Sequence, residues 1–197
     1  MKKKMLNQLR RLAPRSDGFL CAIILGLLIA PVHAATVSFS PSMPSVGLND
    51  TFNLDLIGTG FDSGTLDGGG INFTYDANVV NVLVVTVNST DWEFLPDSGT
   101  INNTTGTVNG IVFNSLQTRT GNLTFATVQF RAVGLGDSLL GLSEYGSNPF
   151  ASGGNGYPGL SFNQTGSIAV VPLPATLWLL STGLALLGVK ARSRSPC

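Results

Sequence analysis

The central part of the sequence, residues 35–170, has no cysteine and no histidine. The two cysteines of the chain, Cys21 and Cys197, and its single histidine, His33, lie outside that stretch. Catalysis by a serine–histidine or cysteine–histidine pair is therefore excluded there, and so is a zinc site built on histidine or cysteine. Because no disulfide is available, a domain of about 135 residues, enough for one core, must be held together by that core alone.

Basic residues are nearly as scarce in the same stretch. Only Arg119 and Arg131 are present, against ten acidic residues, so the net charge is −8: Asp50, Asp55, Asp62, Asp67, Asp76, Asp91, Glu93, Asp97, Asp137 and Glu144. An acidic surface repels a phosphate backbone. This composition argues against nucleic acid as a partner.

Helical periodicity is also missing between the two ends of the chain. Short runs alternate apolar and polar residues instead, as in Thr36-Val-Ser-Phe-Ser40, which is typical of strands with one buried face. The pattern predicts strands at 36–40, 52–56, 71–75, 79–87, 110–116, 123–133, 138–142 and 167–171, with turns at 41–49, 58–70, 97–106, 134–136 and 147–159. Eight or nine short strands predict a single antiparallel β-sandwich, and the nearly continuous apolar run 79–87 is expected near the centre of a sheet.

The N-terminal 34 residues read as a signal peptide. A leader with six basic residues precedes an apolar run from Phe19 to Ala30, and Val32-His33-Ala34 places small residues where cleavage between Ala34 and Ala35 requires them. Twelve apolar residues are short for a membrane span, although an uncleaved anchor is the alternative. The sequence predicts export, followed by a domain at 35–170.

The C-terminal residues 171–197 contain a second apolar segment. Residues 173–189 carry no charge, and as a helix they would extend about 25 Å, close to the hydrocarbon thickness of a bilayer. Lys190, Arg192 and Arg194 follow, so we expect a transmembrane helix with its tail inside the cell. Pro172 and Pro174 keep the preceding stretch extended and accessible to a processing enzyme.

The sorting motif Val171-Pro172-Leu173-Pro174-Ala175, followed by an apolar helix and a basic end, resembles the VPLPA variety of PEP-CTERM sorting tails. The resemblance implies recognition and removal of the tail by an exosortase and delivery to the cell surface or to an exopolysaccharide matrix. Leu173 departs from the commonest form, in which many members carry glutamate. A plain tail anchor is the alternative.

A second resemblance covers most of residues 36–145. Val46-Gly-Leu-Asn-Asp-Thr-Phe-Asn-Leu-Asp-Leu56, residues 70–80 (GINFTYDANVV) and residues 121–134 (GNLTFATVQFRAVG) are similar, in order and spacing, to cohesin segments. The resemblance implies a nine-stranded jelly-roll sandwich, a fold that cohesins share with some carbohydrate-binding modules. Ala77 departs from the proline of many cohesins, and Leu48-Asn49 is inserted before the acidic residue of the first motif.

Three sets of residues are candidates for a site. Asp91 and Glu93 could form a catalytic carboxylate pair of a glycosidase, or simply be exposed acids. Asp62 and Asp67 lie in a loop that could take calcium, without the spacing of a known calcium loop. The rings of Trp92, Tyr145, Phe150 and Tyr157 could stack on sugars or fold inward to cap the sandwich.

Together these features predict an exported, non-enzymatic surface or matrix protein without a required cofactor. Its cohesin-like domain is expected to bind a surface protein or an extracellular polysaccharide. A carbohydrate-binding module is the alternative, and a carboxylate glycosidase is a weaker one.

Overall fold

The structure is a computed structural model that describes residues 34–172. Twelve strands and no helix occur in these residues, and none of them forms a helix that could span a bilayer. The strands are β1 (Thr36–Ser40), β2 (Ser45–Gly47), β3 (Thr51–Thr74), β4 (Val80–Val87), β5 (Asp97–Asn102), β6 (Thr107–Ala132), β7 (Gly136–Leu139), β8 (Gly141–Glu144), β9 (Ala151–Ser152), β10 (Asn155–Gly156), β11 (Ser161–Phe162) and β12 (Ser167–Val171). The predicted signal peptide and the predicted helix 173–189 lie outside the described residues.

Two very long strands, β3 and β6, organise the domain. They contain 24 and 26 residues and pair antiparallel with each other, but the register shifts repeatedly between Leu56 and Phe73. Such bulges bend a strand. The bends carry each strand from one layer into the other, so that Phe113 and Phe125, both on β6, stack on each other across the core with ring centroids 4.3 Å apart.

The first layer contains β1, residues 51–58 of β3, residues 123–132 of β6, and β4. The second layer contains β5, residues 107–114 of β6, residues 68–74 of β3, and β8. A separate three-stranded sheet has β12 in the middle, parallel to β2 and antiparallel to β7. The all-β sandwich predicted from the sequence is confirmed.

Aromatic rings fill the space between the layers. At one end of the sandwich, Phe39, Phe73 and Phe130 contact one another at centroid distances of 5.3–6.3 Å. Near the bends of β3 and β6 a second group of rings is buried: Phe61, Trp92, Phe113, Phe125, Phe150 and Tyr157. Because each buried large apolar side chain contributes about 1.5–3 kcal/mol, these rings can hold the domain together without a disulfide.

Several details differ from the sequence prediction. Residues 45–47, 151–152 and 155–156, all predicted within turns, form β2, β9 and β10, and two strand pairs of the sandwich predicted to be antiparallel, β1 with β11 and β2 with β12, are parallel. Residues 58–70, predicted as a turn, belong to β3, and the first six residues of the predicted turn 97–106 form β5. Within the described residues β4 pairs with β6 alone, so it is an edge strand and not a central one. Its free edge is covered at Val82, whose N–H donates to Oδ1 of Asn103 (2.9 Å) and whose carbonyl accepts from Nδ2 of the same side chain (3.0 Å).

Candidate functional site

The outer surface of the second layer presents amide and hydroxyl side chains in rows across four strands. The antiparallel register sets Thr74 beside Thr107 and Thr107 beside Asn102, while Asn109 lies beside Thr100. We call this surface the amide face; its side chains are Asn72, Thr74, Thr100, Asn102, Thr107, Asn109 and Ser143. All are at least partly exposed, and the sequence places no basic residue on these strand segments.

Asn72 fixes the centre of the amide face. Its Oδ1 accepts a hydrogen bond from the N–H of Gly110 (2.8 Å), which lies in a bulge of β6 with a φ of 78°, and its Nδ2 donates to the carbonyl of Glu144 on β8 (3.3 Å). One side chain thus joins three strands. A methyl group at Gly110 would lie 3.4 Å from Cζ of Tyr145, so the half-buried ring of Tyr145 rests against this glycine.

A group of apolar side chains lies beside the amide face, on the loop that leads into β5 and on the bend of β6. Phe94, Leu95 and Leu116 are 44%, 71% and 75% exposed, and we call them the apolar loop patch. Leu95 has a φ of 48°, a conformation that is uncommon for a large side chain and costs about 1–3 kcal/mol. Strain of this kind concentrates at functional sites.

Several polar contacts hold this loop in place. The buried indole of Trp92 donates from Nε1 to the carbonyl of Thr124 (2.9 Å), and the N–H of Phe94 donates to the carbonyl of Asn114 (3.0 Å). The carboxylate of Glu93 accepts hydrogen bonds from the N–H of Leu116 (3.0 Å) and from Oγ of Ser115 (3.1 and 3.2 Å). The apolar loop patch is therefore presented on a fixed backbone.

The predicted carboxylate pair takes part in the contacts that hold this loop. Arg119 lies 3.6 Å from Asp91 and 3.5 Å from Glu93. Hydrogen bonds from the backbone N–H groups of Glu93 itself and of Leu116 hold the pKa of Glu93 below its usual value, with smaller contributions from Ser115 and Arg119. Of the two carboxylates of a glycosidase, the general acid needs a raised pKa, so Glu93 does not fit that role. The geometry supports the alternative of exposed, structural acids.

The structure corrects three of the four residues proposed to stack on sugars. Trp92 and Phe150 are fully buried and Tyr157 is buried as well, so none of them offers a ring face to a ligand. Phe150 packs against Phe61 and Phe113, and Tyr157 packs against Phe61. These rings cap the sandwich, as in the alternative reading. Tyr145 alone keeps part of its surface exposed.

Asp67, one of the two acids considered for calcium binding, forms a hydrogen bond with the backbone of another loop. Oδ2 of Asp67 accepts a hydrogen bond from the N–H of Gly153, which ties β3 to the loop between β9 and β10. The side chain of Asp62 lies outside what the structure describes. In the part of the chain that is described, no group of three acids, histidines or cysteines comes together around a possible metal position.

The predicted processing positions lie at the two limits of the described residues. Ala34 is exposed, whereas Ala35 is buried in the core. Val171 is the last residue of β12, Pro172 is exposed, and Leu173, Pro174 and Ala175 lie outside the described residues.

No protein-family model and no curated protein matches this chain. Solved structures do: the seventh ScaB type I cohesin of Pseudobacteroides cellulosolvens is 16% identical with a TM-score of 0.57, the match covering 71% of this chain and 94% of that one. The OlpC cohesin in its complex with a dockerin from Clostridium thermocellum is 14% identical with a TM-score of 0.57, and the match covers 72% of this chain and 96% of that one. A non-cellulosomal cohesin from the archaeon Archaeoglobus fulgidus is 15% identical with a TM-score of 0.54, and the match covers 74% of this chain and 96% of that one.

These matches establish the class of the domain, which has the cohesin-like jelly-roll sandwich fold. The resemblance noted in the sequence motifs is confirmed at the level of fold. At identities of this size the likeness concerns the fold alone.

Proposed function

We propose that the chain is an exported, non-catalytic module that binds a protein partner through the amide face and the apolar loop patch. The observation that carries this proposal is the exposure of three large apolar side chains, two on a loop and one on the bend of β6, which hydrogen bonds and ion pairs hold together. Protein interfaces combine a few apolar anchors with a surrounding polar rim. The apolar loop patch supplies the anchors, and the neighbouring amide face supplies the rim.

The comparisons support a protein as the partner. Similar structures include complexes of cohesins with dockerins from Clostridium acetobutylicum and Clostridium thermocellum. The charge of the domain adds to this: with a net charge of −8, it should attract a partner that carries basic residues around an apolar centre. Association should therefore slow as salt concentration rises.

The experiment is affinity capture with matched variants. The chain is immobilised and exposed to the secreted proteins of its source, retained proteins are identified by mass spectrometry, and the purified partner is titrated. Burying one leucine contributes about 1.5–3 kcal/mol, so Leu95→Ser and Leu116→Ser should each raise the dissociation constant about tenfold or more. Leu83→Ser changes an exposed leucine on β4, in the other layer, and should leave binding unchanged.

A second pair of variants tests the amide face itself. Thr100→Arg and Asn109→Arg would place large side chains in the centre of this face, whereas Asn53→Arg makes the same kind of change on the first layer. We expect the first two to abolish capture and the third to leave it intact. Equal capture by all variants, or no retained protein, would refute the proposed interface.

One observation favours a second candidate, binding of an extracellular polysaccharide. The half-exposed ring of Tyr145 lies next to the amide of Asn72 and to the pair Asn148–Asn114, where Nδ2 of Asn148 donates to Oδ1 of Asn114 (3.1 Å). A ring among amides can stack on a sugar. In that case Tyr145→Ala, and not Leu95→Ser, should abolish retention on purified matrix glycan.

We further propose that the signal peptide is removed between Ala34 and Ala35, and that an exosortase acts at residues 171–175 ahead of the transmembrane helix 173–189. The exposure of Ala34 and Pro172 supports access at both positions. This tail would deliver the protein to the cell surface or the matrix after transient anchoring in the membrane. Mass spectrometry of the mature protein tests both ends: a mature chain that retains both Met1 and Cys197 would refute both cleavages.

A further inference from the structure

The described chain leaves the sandwich at an end that carries exposed apolar side chains. Val133, Leu135 and Val171 are 40%, 55% and 43% exposed, and we call them the exit rim. Val170 pairs with Gly136, the first residue of β7, in an antiparallel register, so Val171 at the end of β12 and Leu135 just before β7 come next to this pair. Val133 precedes Leu135 by two residues, and its N–H donates to the carbonyl of Val79 (2.9 Å).

Very few residues separate this rim from the proposed membrane span, which limits the distance between them. Only Pro172 separates Val171, the last residue of β12, from the uncharged segment 173–189. One residue extends at most about 3.6 Å, so Val171 lies within about 7 Å of the start of that segment. The headgroup layer on one side of a bilayer is itself about 5–7 Å thick. A domain attached in this way cannot move far from the lipid surface.

We propose that the exit rim of the anchored protein rests on the headgroup region of the membrane, before the tail is removed. This inference depends on the membrane span proposed above. Apolar side chains at such a contact exchange water for the boundary of the acyl chains, which explains three exposed apolar residues at the point of exit.

Charge selects the kind of lipid. Three exposed acids lie near this end: Asp50 in the turn after β2, Asp76 in the turn after β3, and Asp137 on β7 opposite Ala169. The one basic residue of this end among those described is Arg131. The exit rim therefore favours a neutral or zwitterionic surface over an anionic one.

The opposite end provides the internal control. Residues 123–132 of β6 extend about 30 Å, and Leu116 precedes them in the bend of β6 whereas Val133 follows them. If the exit rim rests on lipid and β6 points away from it, Leu116 and the rest of the apolar loop patch lie about 30 Å along β6 from the contact.

The test measures the proximity of single sites to lipid. In the chain that begins at Ala35, as proposed for the exported protein, Cys197 is first replaced by serine, and a fluorophore is then attached to Leu135→Cys or to Leu116→Cys. The chain is reconstituted in phosphatidylcholine vesicles whose headgroups carry a nitroxide quencher. We expect strong quenching at position 135 and none at position 116, and weaker quenching at 135 when phosphatidylglycerol is added.

A variant with a long glycine–serine linker between Pro172 and Leu173 separates contact from anchoring. It should still float with the vesicles while losing the quenching at position 135. If the original chain floats but both labels are quenched equally, or neither is, the orientation is wrong and the membrane span stands. If the chain does not float with the vesicles, both the span and the contact at the exit rim are refuted, whereas capture of a protein partner is unaffected.

Discussion

Replacing Trp92 by alanine separates a structural role of this ring from a role in ligand binding. The indole is fully buried, its ring centroid lies 5.1 Å from that of Phe113 and 5.6 Å from that of Phe125, and Nε1 donates to the carbonyl of Thr124. Removal of a buried tryptophan costs about 3–5 kcal/mol. That is a large part of the 5–15 kcal/mol that stabilises a typical domain.

Trp92→Phe should lower the free energy of unfolding much less than Trp92→Ala. It keeps most of the apolar volume but loses the hydrogen bond, a net loss of about 1 kcal/mol, and the carbonyl of Thr124 retains a partner because Nδ2 of Asn88 also donates to it (3.3 Å). Phe94→Ala, two residues along and largely exposed, is the matched control and should change the free energy of unfolding by less than about 1 kcal/mol.

Urea denaturation followed by circular dichroism measures all three variants. The expected order of the midpoints is wild type and Phe94→Ala together, then Trp92→Phe, then Trp92→Ala far below. A Trp92→Ala variant that unfolds at the wild-type midpoint would mean that the ring lies at the surface, and the reasoning about the core would fail.

Three further predictions concern single residues. Gly106→Ala should destabilise the domain by about 1–3 kcal/mol in thermal unfolding, because φ is 67° there and a methyl group would clash with the carbonyl oxygen of Tyr75; unchanged stability would contradict this geometry. Burial raises the pKa of Tyr75 above its usual value of 10.0. The contribution of its protonated hydroxyl to stability is therefore present below about pH 10 and is lost as the pH rises through the folded-state pKa. The alkaline fall in the urea midpoint should be smaller in Tyr75→Phe, and an equal fall would contradict the burial of this hydroxyl. The pKa of Glu93 is lowered, so its contribution to stability is present above the usual glutamate pKa and disappears as the pH falls through the lower folded-state value. Glu93→Gln should flatten this acid limb, and an unaltered limb would argue against the hydrogen bonds that its carboxylate accepts from the backbone N–H groups of Glu93 and Leu116.

Strands with a regular pattern could be predicted from the sequence, whereas bent ones could not. Residues 36–40 alternate apolar and polar side chains and form β1 as expected, and the short apolar run at 167–171 forms β12 as expected. The glycines at 68–70 suggested a turn, yet they lie inside β3 because neighbours leave no room for side chains: a methyl group at Gly69 would meet the ring of Phe150 at 2.7 Å. Glycine here allows close packing, which a local pattern cannot distinguish from a turn.

The site was harder to predict than the fold. Rings in a loop rich in glycine and asparagine suggested sugar binding, but the direction in which Phe150 and Tyr157 point depends on the bends of β3 and β6, which only the tertiary structure reveals. The apolar loop patch left a weak signal, since Phe94 and Leu95 precede a proline in a polar stretch. Their exposure depends on the distant Arg119 and Ser115, which hold Glu93 in place.

The register of β12 would have a mechanical consequence if the protein is adhesive, as we propose. The tail continues from its C-terminal end, and β12 runs parallel to β2 and antiparallel to β7. If a partner binds near Leu95, as proposed, while the tail still anchors the chain, tension between the two points would pull β12 along its own axis. The hydrogen bonds on both sides of this strand would then be sheared together instead of opening one after another, so the domain should resist detachment by flow more strongly than its modest size suggests.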